Sequence, residues 1–129
     1  MKQEDAFYMR AALAEAAQAY ALGEVPIGAV LVDEAGEIVA RGHNLRERDH
    51  DATAHAEMIA IRAACERLGR WRLSGLTLYV TIEPCPMCAA AISAARVARV
   101  YAQRLKSHAH SPIPKSPSFP KFIPCAVTP

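Results

Sequence analysis

Two short motifs contain residues that could form a catalytic metal site. His55 and Glu57 are separated by one residue, and Cys85 and Cys88 form a C-x-x-C pair, with Pro84 before Cys85 and Pro86 directly after it. An imidazole and two thiolates are ligands that zinc prefers, and a zinc ion with only three protein ligands keeps its fourth position open for water. The motifs therefore predict a catalytic zinc site rather than a structural one.

The spacing of these residues predicts a separate role for each. Cys85 and Cys88 are three residues apart at a predicted helix start, so both can reach one ion, and the helix N-terminus should favour their ionised form. His55, at the start of another helix, is the predicted third ligand. Glu57 does not share a helical stripe with His55, so it is the candidate that moves protons between water and substrate. H-x-E followed by P-C-x-x-C is typical of zinc deaminases that act on nucleobases.

Two other interpretations fit parts of this pattern. A strand followed by C-x-x-C is also the arrangement of thioredoxin-like redox proteins, although a redox dithiol needs no His-x-Glu partner. A structural zinc site would need a fourth ligand, which His43, His50 or His108 could supply, although none lies at zinc-finger spacing. Of the remaining cysteines, Cys65 is predicted to be a buried apolar residue, and Cys125 has no predicted role.

Length and composition indicate one globular domain. The chain has 129 residues, of which 52% are hydrophobic and 22% charged, as is ordinary for a domain with a single core. No apolar run reaches the roughly 18 residues of a membrane span, and residues 1–5 do not resemble a signal peptide, so the predicted location is the cytoplasm. Residues 84–129 contain 6 Lys and Arg and no acid. This basic third could contact phosphates.

Helices and strands alternate around the motifs. Predicted helices cover residues 4–22, 54–68 and 86–95, and predicted strands cover 27–32, 38–41, 76–82 and 97–101. Thr53 is the predicted cap of the second helix, and Pro86 is predicted to open the third. The predicted buried stripe of the first helix is Phe7, Ala11, Ala14, Ala17 and Ala21. This order predicts an α/β fold with a partly parallel sheet covered by helices.

Residues 107–129 differ in composition from the rest of the chain. They contain six of the nine prolines and no Gly, Asp or Glu. Such a segment lacks the apolar periodicity of a helix or strand. We therefore predict a domain of residues 1–106 followed by a proline-rich, disordered or extended tail of residues 107–129.

Longer strings around the zinc motif resemble the bacterial tRNA-specific adenosine deaminases, over about three-quarters of the chain. The zinc motif alone is shared with cytidine, deoxycytidylate, guanine and riboflavin-pathway deaminases, so the longer strings carry the resemblance. These strings are Gly23–Val30 (GEVPIGAV), Gly42–Asn44 (GHN), Thr53–Met58 (TAHAEM), Trp71–Leu73 (WRL) and Thr77–Cys88 (TLYVTIEPCPMC).

The resemblance implies a three-layer α/β/α fold of the cytidine-deaminase type with a mixed sheet, one zinc ion per subunit and a homodimer. It implies hydrolysis of the wobble adenosine of a tRNA to inosine. Such a base must be reached in a single-stranded loop or flipped out, which suits an anticodon loop as the partner.

The resemblance also implies roles for individual residues. His55, Cys85 and Cys88 would hold the zinc ion, and Glu57 would move the protons. The residues implied to contact the substrate are Asn44, through a hydrogen bond to the purine, Ala56, through its backbone, and Pro26 and Val25, as walls of the pocket.

The resemblance ends near Tyr101. Members of the family continue with an Asp/Lys/Gly-rich loop, a fifth strand and a C-terminal helix, so we expect a fold that lacks the usual last strand and helix. A shift of the reading frame near Tyr101 would explain the change in composition, and translating the source DNA in the other two frames tests this. An exposed sheet edge would then reduce stability or favour self-association.

Two other functions remain open at this point. One is deamination of a free base or nucleoside of the guanine or cytosine type. The other is a truncated zinc-binding relic without turnover. Activity on small molecules but not on an RNA stem-loop would favour the first, and bound zinc without any deamination would favour the second.

Overall fold

A computed structural model describes residues 3–103 and 121–125. The helices are α1 (Gln3–Ala21), α2 (Ala56–Leu68) and α3 (Pro86–Ala94). The strands are β1 (Gly28–Val32), β2 (Ile38–His43), β3 (Thr77–Val80), β4 (Arg99–Gln103) and β5 (Lys121–Cys125). The predicted order of the first seven elements is confirmed, with ends that differ by up to two residues.

The strands form one mixed sheet in the order β2-β1-β3-β4-β5. β1 is antiparallel to both β2 and β3, whereas β3, β4 and β5 are parallel. The β1–β2 hairpin closes through Asp33, whose carboxylate accepts the N–H groups of Ala35 and Glu37. Gly36 has φ +87° in this turn, a conformation that glycine adopts without steric cost.

Alternating side chains along β1 and β3 divide the core into two layers, because successive residues of a strand face opposite sides of a sheet. The core on the side of α2 and α3 includes Leu31, Leu78, Val80, Ile61 and Ile92. The core on the side of α1 includes Val30, Val32, Tyr79, Met9 and Ala12. The expected three-layer α/β/α fold with a mixed sheet is confirmed.

The buried side of α1 differs from the predicted stripe. Met9, Ala12, Ala16 and Ala19 are buried, whereas Phe7 is 56% exposed and Ala14 and Ala17 are also exposed. Alanine occupies so many positions of this helix that its apolar period has no definite phase, and the long Met9 side chain marks the buried side. Within residues 3–103 and 121–125, no helix, α1 included, is long and apolar enough to cross a membrane.

Strand β5 was not predicted. It lies within the segment of residues 107–129, for which the sequence analysis expected no element of the fold, and it pairs in parallel with β4, with Pro124 opposite Ala102. Proline is confined to edge strands because it cannot donate to the ladder. A five-residue run that contains proline therefore has little strand signal of its own, and its pairing with β4 defines it. The boundary predicted at residue 106 lies outside the described residues.

Candidate metal centre and active site

The N-termini of α2 and α3 converge and bring the predicted ligands together. His55 is the N-cap residue of α2 and Cys85 is the N-cap residue of α3, and neither side chain caps its own helix. Cys88 lies in the first turn of α3 and is fully buried. Both cap side chains are thus free to bind an ion instead of backbone N–H groups.

Thr53 does not cap α2, contrary to the prediction. Its N–H and its hydroxyl both donate to Oδ1 of Asp51, at 2.8 and 2.7 Å. The helix begins at Ala56, two residues later than predicted. The shift arises because Asp51 holds Thr53 in a turn, which leaves His55 in the extended conformation of a cap residue, with φ −78° and ψ 155°.

The ligand atoms have the separations that one tetrahedral zinc ion requires. Nδ1 of His55 lies 3.7 Å from Sγ of Cys85 and 3.5 Å from Sγ of Cys88. Zinc–sulfur and zinc–nitrogen bonds of their usual lengths, at a tetrahedral angle, place the two atoms roughly 3.6 Å apart. His55, Cys85 and Cys88 are therefore placed to hold one metal ion, with all ligand atoms within 4.8 Å of one another.

Burial and nearby charges favour the metal-binding form of His55 but oppose the metal-binding form of Cys88. Burial lowers the pKa of His55, and the Arg46 guanidinium lowers this pKa further. Both effects favour the neutral imidazole that binds metal. Burial also raises the pKa of the Cys88 thiol, and the Glu57 carboxylate and Cys85 add to this rise. Burial thus opposes the predicted easy ionisation of Cys88, and the positive charge of a bound metal ion would stabilise its thiolate.

The described part of the chain offers no fourth ligand at this centre. The cluster contains His55, Cys85 and Cys88 but neither His43 nor His50. Nδ1 of His43 lies 3.0 Å from Oε1 of Glu15 on α1, and His50 is exposed. His108, the remaining candidate for a structural site, lies outside the described residues. Three ligands and an open position are the arrangement of a catalytic zinc site.

Two buried polar side chains within residues 3–103 each have one oxygen without a hydrogen-bond partner. Glu57 and Asn44 are each 3% exposed, yet Oε1 of Glu57 and Oδ1 of Asn44 have no partner. Burial raises the pKa of the Glu57 carboxyl, and Glu57 interacts with the ligand Cys88. Unpaired buried oxygens are costly in a folded protein, so both indicate groups that a ligand satisfies, and that of Glu57 lies beside a ligand of the metal centre.

The remaining predicted site residues lie on three neighbouring segments. Ala56 is buried and is the first residue of α2, where its N–H has no helical acceptor. Val25 and Pro26 are exposed and precede β1. The segment before β1 and the segment after β2 are joined because the Asn44 N–H donates to the Ile27 carbonyl at 3.1 Å. No contact of these residues with a substrate is described, so their binding roles stay predictions.

The sequence analysis missed two residues that support this site, Glu24 and Gly42. Glu24 is a carboxylate that is only 5% exposed, next to the predicted pocket residues. Gly42 lies on β2 where α2 approaches most closely: a Cβ atom there would lie 2.4 Å from the Ala56 carbonyl oxygen and 2.8 Å from the Ala60 nitrogen. The GHN motif could have signalled Gly42, but nothing in the sequence signals that Glu24 is buried.

Replacing Gly42 with alanine should displace the start of α2 and weaken metal binding. The added methyl group meets backbone atoms that cannot rotate away, so we expect a loss of about 1–3 kcal/mol in the free energy of unfolding. Gly28→Ala is the matched control, because its Cβ would lie 2.0 Å from the Ala12 carbonyl oxygen of α1, on the other face of the sheet. Denaturant unfolding should show both variants destabilised, and zinc titration should show weaker binding only for Gly42→Ala. Equal zinc affinity in both would contradict the role of Gly42.

An open three-ligand centre at two helix N-termini, with a buried carboxyl beside it, is the arrangement of a catalytic zinc site on an α/β/α fold. Residues 2–104 match the model of the cytidine and deoxycytidylate deaminase zinc-binding region. The chain belongs to this deaminase family.

Two kinds of deaminase within this family are similar to the chain. The chain is 59% identical over 97 residues to the tRNA-specific adenosine deaminase of Bacillus subtilis, covering 75% of this chain and 60% of that protein. A solved structure from a study of A-to-I editing by tRNA:A34 deaminases is 54% identical, with a TM-score of 0.74, and the match covers 76% of this chain and 75% of that one. The guanine deaminase of Bacillus subtilis is 40% identical, with a TM-score of 0.74 and coverage of 81% and 65%.

The match covers only part of the length of the curated relatives. It spans 60% of the Bacillus subtilis protein and 64% of the tRNA-specific adenosine deaminase of Agrobacterium fabrum, which is 55% identical.

Proposed function

We propose that this protein hydrolyses adenosine to inosine at the wobble position of a tRNA. The observation that carries the proposal is the three-ligand centre with the unpaired Oε1 of the buried Glu57 beside its ligand Cys88, together with the unpaired, buried Oδ1 of Asn44. Oε1 of Glu57 can accept a proton from water, and Oδ1 of Asn44 can bind the edge of a base. The similarity to tRNA-specific adenosine deaminases supports adenosine in an anticodon loop as the substrate.

Each residue has a defined part in this reaction. A zinc ion held by His55, Cys85 and Cys88 would lower the pKa of a water in its open position to about 7. Glu57 accepts a proton from the attacking water, whose oxygen bonds to C6 of the purine. Glu57 passes that proton to the ring nitrogen, then takes the second proton from the new C6 hydroxyl and gives it to the amino group, so that the C6–N bond breaks, a C6 carbonyl forms and ammonia leaves. The raised pKa of the buried Glu57 carboxyl suits a group that must hold and release a proton.

The other predicted residues bind and orient the base. The amide of Asn44 offers both a donor and an acceptor to the purine edge. The N–H of Ala56, at the positive end of α2, can donate to an acceptor atom of the substrate. Val25 and Pro26 form the exposed wall of the pocket, where apolar surface can stack on a base that has left its helix.

The proposal is tested by incubating zinc-loaded protein with an adenosine-containing anticodon stem-loop and measuring inosine. We expect inosine from the stem-loop and none when the target adenosine is replaced by guanosine. Soluble, zinc-loaded protein that forms no inosine would refute the proposal.

A second candidate is deamination of a free purine base such as guanine. It is favoured by the guanine deaminase structure, which is 40% identical to this chain over 81% of its length. Release of ammonia from guanine, without any inosine from the stem-loop, would favour this candidate. Binding of zinc without deamination of either substrate would favour the relic without turnover.

We also propose that the protein acts as a homodimer, as the family resemblance implies. The dimer is consistent with the large apolar side chains of Phe7, Tyr20 and Trp71, which are more than half exposed in the single chain. Light scattering of the zinc-loaded protein should give twice the mass of the chain, and a monomer mass at micromolar concentration would refute this.

A further inference from the structure

Glu24 connects two segments of the site that are far apart in sequence. Its carboxylate is only 5% exposed and accepts two backbone hydrogen bonds. Oε1 accepts the N–H of Glu47 at 3.1 Å, and Oε2 accepts the N–H of Arg48 at 2.8 Å. We call this pair of hydrogen bonds the Glu24 bridge.

The two N–H groups need an acceptor from outside their own segment. Residues 45–51 form a single turn, in which the Asp49 N–H donates to the Leu45 carbonyl and the Asp51 N–H donates to the Arg46 carbonyl. The first N–H groups of such a turn have no acceptor within it. An ionised carboxylate is the strongest common acceptor for them, so Glu24 caps the turn from 23 residues away in sequence.

The bridge joins the two segments that carry the predicted walls of the substrate pocket. Val25 and Pro26 follow Glu24 directly, and Asn44 lies just before the capped turn. The base of the turn is closed independently, because the Leu45 N–H donates to the Ala54 carbonyl and the Asn44 N–H donates to the Ile27 carbonyl. The Glu24 bridge therefore controls the outer part of the turn without holding the turn in place at its base.

We propose that Glu24 is a positioning residue for substrate binding. Through its bridge it fixes the turn of residues 45–51 against the segment of Val25 and Pro26, and so sets the width of the pocket into which the target base enters. The inference rests on the proposed function, which supplies the base as the ligand. Glu24 acts on binding because its partners are pocket segments and not ligands of the metal.

Two variants remove the bridge in steps. Glu24→Gln keeps the shape and one acceptor oxygen, but its amino group faces the second N–H, so we expect KM for the stem-loop to rise about tenfold with a smaller change in kcat. Glu24→Ala removes both acceptors and should raise KM further. Glu66→Gln is the matched control: Glu66 is exposed on α2, outside the bridge and both pocket segments, so its KM should equal that of the wild type.

A purely structural role for Glu24 predicts a different result. It would lower the melting temperature and the active fraction, and therefore the apparent kcat, while KM stayed unchanged. If the wild-type protein is active and both Glu24 variants have the same KM as the wild type, the positioning role is overturned, whatever the stability of the variants.

Amide hydrogen exchange tests the bridge without any turnover. The amides of Glu47 and Arg48 should be protected in the wild type and should exchange at least tenfold faster in Glu24→Ala, while the amide of Leu45 keeps its protection. Equal exchange in both proteins would overturn the bridge itself. Failure of the proposed function appears separately, as wild-type protein that forms no inosine although its Glu47 and Arg48 amides are protected.

Discussion

Replacing Glu57 with glutamine should abolish deamination while zinc stays bound. General acid–base catalysis by a positioned side chain contributes about 10²–10⁴-fold to a rate, so we expect kcat to fall by at least that factor. Glutamine has nearly the same shape but cannot accept and return a proton. Zinc should remain because Glu57 does not belong to the cluster of His55, Cys85 and Cys88.

Glu66→Gln is the matched control for this experiment. Glu66 lies on the same helix α2 but is exposed, so its replacement removes the same charge without touching the buried site. We expect wild-type inosine formation from Glu66→Gln, and equal zinc content in all three proteins by metal analysis. Glu57→Ala should match Glu57→Gln in activity. Inosine formed at more than a few per cent of the wild-type rate by either Glu57 variant would refute the assigned role.

The metal ligands could be predicted from the sequence because each of the two motifs lies within a short stretch of the chain. Cys85 and Cys88 need only a helix start to face one ion, and Pro86 is at the first helical position as predicted. Glu57 is two residues from His55, so the two side chains point in different directions from one turn of helix. The spacing therefore predicts His55 as the ligand and Glu57 as a group that does not bind the metal. The three predicted ligands are placed to hold one metal ion, and the role of Glu57 stays a prediction.

The supporting parts of the site could not be predicted because they depend on contacts between distant segments. In the sequence, Glu24 cannot be distinguished from a surface carboxylate. It is buried because the turn of residues 45–51 packs against it. Gly42 becomes necessary only because the backbone of α2 crosses β2 at that point. The buried face of α1 and strand β5 have the same cause: an alanine-rich helix and a short run containing Pro124 acquire their roles from what they pack or pair with.

The cap positions show how local stability is exchanged for a binding site. An N-cap side chain that hydrogen-bonds its helix is worth about 1 kcal/mol, yet neither His55 nor Cys85 makes such a bond. Two helices of 13 and 9 residues thus begin without a side-chain cap. The positive ends of both helices instead lie at the three candidate ligands, where they would stabilise negative charge. A bound metal ion therefore replaces the missing caps in fixing both helix starts.

Replacing Cys88 with alanine should eliminate zinc binding and the stability that zinc confers. Cys88 is fully buried in the first turn of α3, and its loss leaves His55 and Cys85 as the only two ligands of the cluster. A ligand that binds only the folded state stabilises it by about 4 kcal/mol when its free concentration is a thousand times its dissociation constant. Added zinc should therefore raise the melting temperature of the wild type by several degrees and leave that of Cys88→Ala unchanged.

Cys65→Ala is the matched control, since it removes a thiol from the other end of α2. Its Sγ donates to the Trp71 carbonyl at 3.6 Å and is not part of the metal cluster. We expect one zinc per chain and a full thermal response to zinc in this variant, and chelation should return its melting temperature to the metal-free value. A zinc response that survives in Cys88→Ala would mean that other groups hold the ion.

Because His55 and Cys85 both lie at helix starts, loss of the ion should also free those starts. The first turns of α2 and α3 should therefore lose protection in amide exchange before the sheet does.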